Sequence, residues 1–269
     1  RLPVTDWCRR NVVLPHSNKS PTWDIEASPW LRDPMLAASD NRNKEVVLVA
    51  PTGSGKTTFF EGLIPYAICE APGNILYITQ TDAEAADWAE TRLLPSLKLC
   101  KPLDGLWPKD RHKTRKTEII FPHLALFCGG ANIANLQEKS VRWVMLDEAW
   151  TYKAGRIQMA RRRTHDGWNA RVCVLSQGGY QGGDLHAAWE QTDQAEYRYT
   201  CPGCGAVRPW RFSELKWDES RTENGKRDWA ALAASVRLEC ECGHITPDKP
   251  EHRRKLSNSG VYVATNANA

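Results

Sequence analysis

The stretch that most constrains the fold runs from Val46 to Thr58, with the sequence VVLVAPTGSGKTT. Its β-branched and apolar start predicts a buried strand, its two glycines permit a tight loop, and helical spacing begins at Thr57. Such a loop surrounds a phosphate group with backbone N–H groups at a helix N-terminus, where the helix dipole favours an anion. The pattern G-x-x-x-x-G-K-[ST] is met except at its first position, where Ala50 stands. The stretch therefore predicts a nucleoside-triphosphate site rather than a chance Gly-Ser loop.

The residues expected to bind ATP belong to this loop and to the start of the helix: Pro51, Thr52, Gly53, Ser54, Gly55, Lys56, Thr57 and Thr58. Lys56 is expected to reach the β- and γ-phosphates and to act in catalysis. The hydroxyl of Thr57 is expected to hold Mg²⁺. The predicted cofactors of this site are thus ATP and Mg²⁺.

A second strand, which runs into acidic residues, supplies the other half of the predicted site. The apolar segment 141–146 leads directly into Asp147 and Glu148. Asp147 is expected to bind Mg²⁺, and Glu148 is expected to orient and deprotonate the attacking water. A strand that ends in Asp-Glu is often only a solvated strand end. In an α/β pattern that also contains the glycine-rich loop, it predicts a hydrolytic pair.

The order of the elements predicts an α/β fold. Buried strands are expected at 46–50, 74–79 and 171–175, helices at 57–70 and 82–94, and an antiparallel strand pair at 118–121 and 124–128. Alternating strands and helices give right-handed parallel crossovers. Pro65 is expected to kink or end the first helix. The predicted fold class is a P-loop NTPase with a mainly parallel central sheet flanked by helices, plus a small zinc-ribbon-like lobe.

Two further features can extend the predicted nucleotide site. Ser176 and Gln177 end the strand at 171–175 and are candidates for sensing the γ-phosphate, although an ordinary polar turn is the alternative. The arginines at 161–163 lie on a predicted helix after the acidic pair, and one of them can complete an ATP site by stabilising transition-state charge. Arg162 is the candidate taken, and whether it acts in its own subunit or in a neighbour stays open.

A second basic run, at 109–116, lies in a loop-like region. A charge run is most often a solvated face. The alternative is contact with DNA phosphates, which would make binding depend on salt. The net charge of +4 is too small to argue for nucleic acid by itself.

Four of the nine cysteines are paired close together in the sequence. Cys201 and Cys204 form a Cys-x-x-Cys turn, and Cys240 and Cys242 form a Cys-x-Cys pair, which together predict a structural Zn²⁺ site. His244 can replace one of the second pair as a ligand, and surface or redox cysteines are the alternative to a metal. The tryptophans at 210, 217 and 229 are expected to give this lobe a core of its own.

Length and composition set the domain plan. The chain has 269 residues, 41% of them hydrophobic, which is enough for one large domain and a small appendage. We expect a lead-in segment at 1–44 packed on an ATPase core at 45–195, followed by a zinc-binding lobe and C-terminal strand at 196–269. For the tryptophans at 7, 23 and 30 of the lead-in segment, direct contact with adenine is the alternative to packing. No stretch approaches membrane-spanning length and no signal-peptide pattern is present, so a reducing cytosol without a membrane is expected. The chain begins at Arg1 without Met and is expected to be a fragment.

Taken together, these residues resemble the large terminase subunit of tailed double-stranded-DNA phages, in its lambda-like branch. In chain order the resemblance rests on WLRDP at 30–34, GAN at 130–132 with NL at 135–136, LDEA at 146–149, CPGCG at 201–205 followed by Trp217, and the cysteine pair near 240. It implies a motor ATPase that pumps DNA into an empty procapsid, working as a ring of subunits at the portal protein in the host cytoplasm. It also implies a small terminase subunit that selects the DNA and a C-terminal nuclease that cuts it.

Three departures from the family pattern accompany this resemblance. Ala50 opens the loop, Ser176-Gln177 stands where the family tends to have Ser-Thr-Pro, and no downstream cluster of acids is left to hold two metal ions. Nuclease activity is therefore not expected of this fragment.

The expected function is ATP hydrolysis coupled to translocation of double-stranded DNA. A helicase-like DNA translocase and a non-catalytic, nucleotide-gated DNA clamp are the alternatives. A second motor lobe of the helicase kind does not fit into the residues that follow Ser176.

Overall fold

The computed structural model of the protein describes residues 2–16, 20–137, 139–165, 167–219 and 224–266. The chain divides into two units, residues 1–192 and residues 193–269. In the described ranges, no helix combines the length and the apolar character that crossing a lipid bilayer requires.

The first unit contains seven strands and eight α-helices among its described residues. The strands are β1 Glu45–Val49, β2 Ile75–Thr79, β3 Thr114–Arg115, β4 Glu118–Ile120, β5 Ala125–Gly130, β6 Trp143–Leu146 and β7 Arg171–Ser176. The helices are α1 Val4–Asn11, α2 Arg32–Ser39, α3 Lys56–Glu70, α4 Asp82–Trp88, α5 Leu94–Leu99, α6 Ile133–Gln137, α7 Arg156–Arg161 and α8 Asp184–Glu190. A π-helical turn, Ala89–Leu93, joins α4 to α5. Short 3₁₀ turns occupy Ile25–Ala27, Pro29–Leu31, Lys101–Leu103, Arg111–Lys113, Ala149–Thr151 and Arg162–Thr164.

The strands of the first unit form one sheet in the order β1-β7-β6-β2-β5-β4-β3. β1, β7, β6, β2 and β5 pair in parallel, and β4 and β3 are added antiparallel. The mostly parallel α/β architecture predicted from the sequence is thus confirmed. Because the five parallel strands β1, β7, β6, β2 and β5 run in one direction, their C-terminal ends share one edge of the sheet, which we call the carboxyl edge. The opposite edge is the amino edge.

Apolar residues cover both faces of this sheet. Successive side chains of a strand point to opposite faces, and the two faces carry separate clusters of buried residues. Tyr77 and Trp143 belong to one cluster together with Phe59 and Leu63 of α3, whereas Leu76 and Val144 belong to the other. Strands that are buried on both faces require apolar residues at nearly every position, which explains why β2, β6 and β7 are continuous apolar runs.

The sequence predicts that Pro65 kinks or ends helix α3. The helix does not end there but continues to Glu70, so the second of these two outcomes is wrong. Proline removes one backbone hydrogen bond and crowds the preceding turn. The helix persists because it is buried along most of its length, and the N-terminal segment packs against it. Trp23 donates from Nε1 to the carbonyl of Thr58 at 3.0 Å, and a Cβ placed on Gly62 would lie 2.8 Å from that same nitrogen. Tertiary packing therefore outweighs the local preference of proline.

The second unit contains two three-stranded sheets, β10-β11-β12 and β13-β8-β9, with antiparallel pairings throughout. Its strands are β8 Glu196–Thr200, β9 Val207–Pro209, β10 Leu215–Lys216, β11 Arg237–Glu239, β12 Ile245–Pro247 and β13 Val261–Val263, and its helices are α9 Trp229–Ser235 and α10 Pro250–Asn258. The buried cluster of this unit is small: Tyr199, Cys201, Leu238, Cys240 and Leu256.

The three tryptophans expected to form the core of this lobe do not do so. Trp210, Trp217 and Trp229 are 45%, 43% and 66% exposed. Tyr199 takes the central position instead, donating from its hydroxyl to Glu214 at 2.9 Å. The prediction of a tryptophan core was wrong because a large indole is more often half-buried than fully enclosed in a unit this small.

Candidate functional site

Three neighbouring strands bring the predicted site residues to the carboxyl edge of the sheet. β1 ends at Val49 and leads into residues 50–55, which we call the glycine loop; β6 ends at Leu146 and leads into Asp147. β7 lies between them and ends at Ser176, whose carbonyl accepts a hydrogen bond from the backbone N–H of Ala50 at 2.9 Å. The glycine loop and the acidic pair therefore lie on the same side of the sheet, one strand apart.

The glycine loop has the backbone geometry of an anion cradle. Gly53 and Gly55 adopt φ angles of +80° and +87°, which favour glycine. At Gly55 an added Cβ would also meet Ser28 Oγ at 3.2 Å and Leu31 Cδ1 at 3.3 Å. Helix α3 starts immediately afterwards without a side-chain cap, so its first N–H groups point into the loop. Among the buried polar side-chain atoms of the described residues, the hydroxyl of Ser54 is one of six without a hydrogen-bond partner.

Lys56 is held inside this loop. Its side chain is buried, and Nζ donates to the carbonyl oxygens of Ala50 and Pro51, each at 3.1 Å. The ammonium charge is thus placed among backbone groups that a phosphate can replace as its partner. Such a donor set fits a triphosphate.

Asp147 is buried beneath the site and held by two donors. The hydroxyl of Tyr77 donates to its Oδ2 at 3.0 Å, and the backbone N–H of Glu148 donates to its Oδ1 at 3.0 Å. The ring of Trp88 stacks on Tyr77 with a centroid separation of 4.0 Å, which fixes the phenol. Burial raises the pKa of Asp147 to about 6; the charge of Glu148 adds to this, while the Tyr77 hydrogen bond and Lys56 oppose it.

Glu148 is one of two non-glycine residues with positive φ among those described, at φ +51°. The left-handed region is costly for a residue with a Cβ and is often found at functional sites. Its Oε2 accepts a hydrogen bond from Trp150 Nε1 at 2.9 Å, and its carbonyl accepts one from Thr151 Oγ1 at 2.8 Å. The tight turn after β6 thus directs one acid inward and leaves the next one half-buried at the site.

Ser176 and Gln177 connect the two halves of the site. The buried hydroxyl of Ser176 accepts from the backbone N–H of Trp150 at 3.0 Å, which ties β7 to the turn that follows Glu148. The side-chain oxygen of Gln177 accepts from the hydroxyl of Thr52 at 2.9 Å, which ties β7 to the glycine loop. A change in the conformation of the glycine loop would therefore alter the contacts of both residues.

A cavity of about 880 Å³ opens beside the glycine loop. The loop and the start of α3 form one wall, together with Lys56, Thr57, Thr58 and Glu148. The N-terminal segment forms a second wall, with Leu14, Trp23, Ile25 and Leu31 among its lining residues, and Glu90 to Pro95 contribute a third. This volume is within the range of small-molecule and cofactor sites. The oxygen donors of Thr57 and Asp147 are of the kind that Mg²⁺ prefers.

Arg162 does not join these residues within its own chain. It is exposed in the turn Arg162–Thr164, and the carbonyl of the next residue, Arg163, accepts from the N–H of Val141 ahead of β6. Asp147 lies at the other end of β6, about 20 Å away at 3.3 Å per residue. Arg162 is therefore too far from Asp147 to complete the ATP site of its own chain, and that interpretation is wrong. Its action in a neighbouring subunit stays a prediction.

Sequence reasoning missed several residues that support the site. Tyr77 and Trp88 hold Asp147, and Trp150 binds Glu148. Each is an aromatic residue in an apolar run, a pattern that also describes ordinary core residues. For the N-terminal wall, packing was favoured over contact with adenine, and Leu14 and Ile25 were not singled out because they carry no chemical signal of their own.

The four paired cysteines come together in the second unit. Their sulfur atoms all lie within 4.8 Å of one another, and Sγ of Cys201 is 3.8 Å from Sγ of Cys242. Tetrahedral Zn²⁺ with Zn–S bonds of about 2.3 Å separates its sulfurs by about 3.8 Å. Gly205 and Gly243 follow the pairs with φ angles of +71° and +85°, which lets each turn fold back. We call this group the cysteine cluster; it offers four ligands without His244 and fits a structural Zn²⁺.

The chain is similar to phage terminases in sequence and in fold. The sequence profile described as "phage terminase large subunit gpA, ATPase domain" matches residues 17–261. No curated protein sequence matches the chain. Among solved structures, the crystal structure of the HK97 bacteriophage large terminase is similar, with a TM-score of 0.58 and 18% sequence identity. The match covers 70% of this chain and 40% of the HK97 chain, so this chain spans well under half of that protein.

Proposed function

The chain belongs to the family of phage terminase large subunit gpA ATPase domains, and we propose on that premise that it couples ATP hydrolysis to translocation of double-stranded DNA into a procapsid. The observation that carries the proposal is the shared carboxyl edge. Lys56 and Glu148 line one cavity there, and Asp147 lies buried below it. An arrangement of this kind places a hydrolytic acid opposite an anion cradle, as nucleotide hydrolysis requires.

We assign the site residues the roles that a P-loop NTPase requires. The backbone of residues 51–55 and Thr58 surrounds the phosphates, and Lys56 exchanges its bonds to loop carbonyls for bonds to the β- and γ-phosphates. Thr57 and Asp147 would hold Mg²⁺, which would supply positive charge to offset the charge of the phosphates. Glu148 orients the attacking water and accepts its proton. Ser176 and Gln177 sense the γ-phosphate through their contacts to the Trp150 turn and to the glycine loop.

The remaining parts take roles from the same proposal. Residues 1–44 are a lead-in segment on the ATPase core at 45–195, and residues 196–269 form a zinc-binding lobe in which Cys201, Cys204, Cys240 and Cys242 hold Zn²⁺. The working motor is a homo-oligomeric ring in the host cytoplasm that engages the portal protein, the small terminase subunit and DNA. In that ring Arg162, exposed at the amino edge, is a candidate for action on a neighbour's nucleotide.

A steady-state ATPase assay with and without duplex DNA tests the proposal. We expect turnover that DNA stimulates, loss of nucleotide binding on Lys56→Ala, and retained ATP binding with abolished hydrolysis on Glu148→Gln, because only the proton acceptor is removed. Negligible turnover with intact ATP binding would instead support a nucleotide-gated DNA clamp. Unwinding of duplex DNA would support the helicase-like alternative.

A further inference from the structure

An ion pair between Glu61 and Arg92 lies beside the candidate nucleotide site and has no role in the function proposed above. Glu61 is on α3, and its side chain is only 3% exposed. Arg92 binds it side-on: Nε lies 2.8 Å from Oε1, and Nη2 donates to Oε2 at 3.0 Å. A two-point pair of this kind fixes the plane of the guanidinium.

The position of Arg92 depends on an irregular helix. It belongs to the π-helical turn Ala89–Leu93, and Pro95 follows closely. Proline cannot donate to the preceding turn and crowds it, and a widened turn accommodates this. π-Turns occur in many proteins at functional sites because they redirect a side chain out of the regular helical row. Here the turn brings Arg92 across to α3.

Arg92 also lines the cavity that contains Lys56 and Glu148. Among the described residues that line this cavity, Arg92 is the one arginine. Its side chain is 39% exposed, and the pair with Glu61 uses only the Nε and Nη2 edge of the guanidinium. The Nη1 edge takes no part in that pair and can donate to an oxygen in the cavity.

The charges around the site call for such a cation. Among the described residues, the carboxyl groups of Asp24, Glu90 and Glu148 line the cavity, and those of Glu61 and Asp147 lie next to it. Burial raises the pKa of Glu61, and the charge of Asp147 adds to that effect. Among the described residues that line the cavity, Lys56 and Arg92 are the lysine and the arginine. A buried ion pair contributes little stability compared with apolar residues of the same volume, so a purely structural purpose explains the pair poorly.

We propose that Arg92 binds the terminal phosphate of ATP bound in the same chain and stabilises the charge that develops there during hydrolysis. The inference rests on the proposed function. In the reaction, the water oxygen bonds to the γ-phosphorus, the bond from that phosphorus to the β–γ bridging oxygen breaks, and Glu148 takes the water proton. Negative charge then gathers on ADP and on the departing phosphate, in the cavity that Arg92 lines together with Lys56 and Glu148. A fixed guanidinium is suited to that charge because it needs no reorganisation.

The test compares Arg92→Gln with a control, Arg9→Gln, which removes an exposed arginine of the same unit. We expect Arg92→Gln to lower kcat at least about 100-fold, as removal of a transition-state arginine does. Its affinity for Mg·ADP should change less than about threefold, whereas its affinity for Mg·ADP with aluminium fluoride, a transition-state mimic, should fall at least about 30-fold. Arg9→Gln should match the unsubstituted chain in all three measurements.

A second variant guards against simple misfolding. Arg92→Gln leaves Glu61 buried without its cation, which is costly by itself, so the double variant Glu61→Gln/Arg92→Gln removes both charges. If the double variant stays as inactive as Arg92→Gln, the proposal is supported. If it regains the kcat of the unsubstituted chain, Arg92 serves only to neutralise Glu61 and the proposal is wrong.

Mixing experiments decide whether Arg92 acts within its own chain. Arg92→Gln mixed with Glu148→Gln should remain inactive, because each active site lacks one of its own groups. Recovery of activity in the mixture would show that Arg92 acts across subunits and would overturn the proposal. Should the unsubstituted chain fail to hydrolyse ATP, the proposed function fails, but the affinities for Mg·ATPγS and Mg·ADP still decide the inference. Arg92→Gln must then weaken the first at least about tenfold more than the second, since only ATPγS carries a terminal phosphate group.

Discussion

The two units of this protein are stabilised in different ways. In the first unit, dozens of buried apolar residues cover both faces of a seven-stranded sheet. In the second, the buried cluster has five residues, and two of them, Cys201 and Cys240, belong to the cysteine cluster. A unit with so few buried residues cannot offset its loss of chain entropy by burial alone. Apolar burial stabilises the large unit enough for it to tolerate unfavourable groups at a functional site. The small unit requires a cross-link in addition to its apolar burial.

The first unit contains several groups that are unfavourable for folding. It accommodates a buried lysine, a buried aspartate with a raised pKa and a glutamate in the left-handed region, all at the carboxyl edge. Each of these features is unfavourable for folding when no ligand is present. The second unit shows no comparable concentration of buried charge among its described residues.

Metal removal is expected to have the largest effect. Chelation at neutral pH, or Cys204→Ser, should unfold the second unit, because a structural Zn²⁺ site contributes on the order of 10 kcal/mol. The amides of β8 and β11 should lose hydrogen-exchange protection while those of β2 and β6 keep theirs, as measured by mass spectrometry. Cys69→Ser, at a cysteine outside the cluster, is the matched control and should change neither unit. Equal loss of protection in both units would contradict the claim that the second unit alone depends on a metal for its stability.

A cavity in the large core should act on the first unit alone. Leu63 of α3 is fully buried against the sheet, so Leu63→Ala should lower the free energy of unfolding by about 2–5 kcal/mol. Protection of β2 and β6 should then fall, and that of β8 and β11 should stay unchanged. A variant in which both units lose protection together would show that the two fold as one cooperative body.

The pH dependence of the free energy of unfolding of the first unit measures how much the buried Asp147 destabilises the folded state. The usual pKa of an aspartate is about 3.9, and burial raises that of Asp147 to about 6. Between these values the folded state binds the proton more tightly than the unfolded state, so the free energy of unfolding falls as pH rises through this window. The loss is about 2–3 kcal/mol at 1.4 kcal/mol per pKa unit.

Urea unfolding of the chain and of Asp147→Asn, without Mg²⁺ or nucleotide, checks this cost. The stability of the variant relative to the unsubstituted chain should increase from pH 4 to pH 7 by the amount given above. An identical pH profile for both proteins would mean that the carboxyl group is not protonated in the folded state.

Local patterns carried most of what could be predicted. The strand, glycine loop and start of α3 are contiguous, so the sequence specifies them directly, and the acidic pair after β6 is encoded in the same way. The four cysteines follow from the spacing that one metal demands. Parallel pairing then brings the loop and the acids to one edge, because strands that run in the same direction have their C-terminal ends at the same edge of the sheet.

The missed features depend on packing between distant segments. Glu61 and Arg92 pair across 31 positions, and the register of a π-turn is not encoded by any periodic pattern. The place of Arg162 follows from the length and direction of α7, which carry it back to the amino edge. Pro65 is tolerated because of the N-terminal segment that covers α3, and the exposure of Trp229 reflects how little interior a small unit has. In each case the deciding contact lies outside the local window that a sequence pattern covers.

The pairing of Lys56 with Ala50 and Pro51 affects how the loop takes up an anion. A buried ammonium without partners would be severely destabilised, yet here its charge is solvated by the loop itself. On the proposed function, a phosphate oxygen that entered the loop would replace a carbonyl oxygen as the partner of the same nitrogen. The affinity would then reflect the difference between two sets of hydrogen bonds to Lys56, and the carbonyls released at the end of β1 would differ between the empty and the occupied loop.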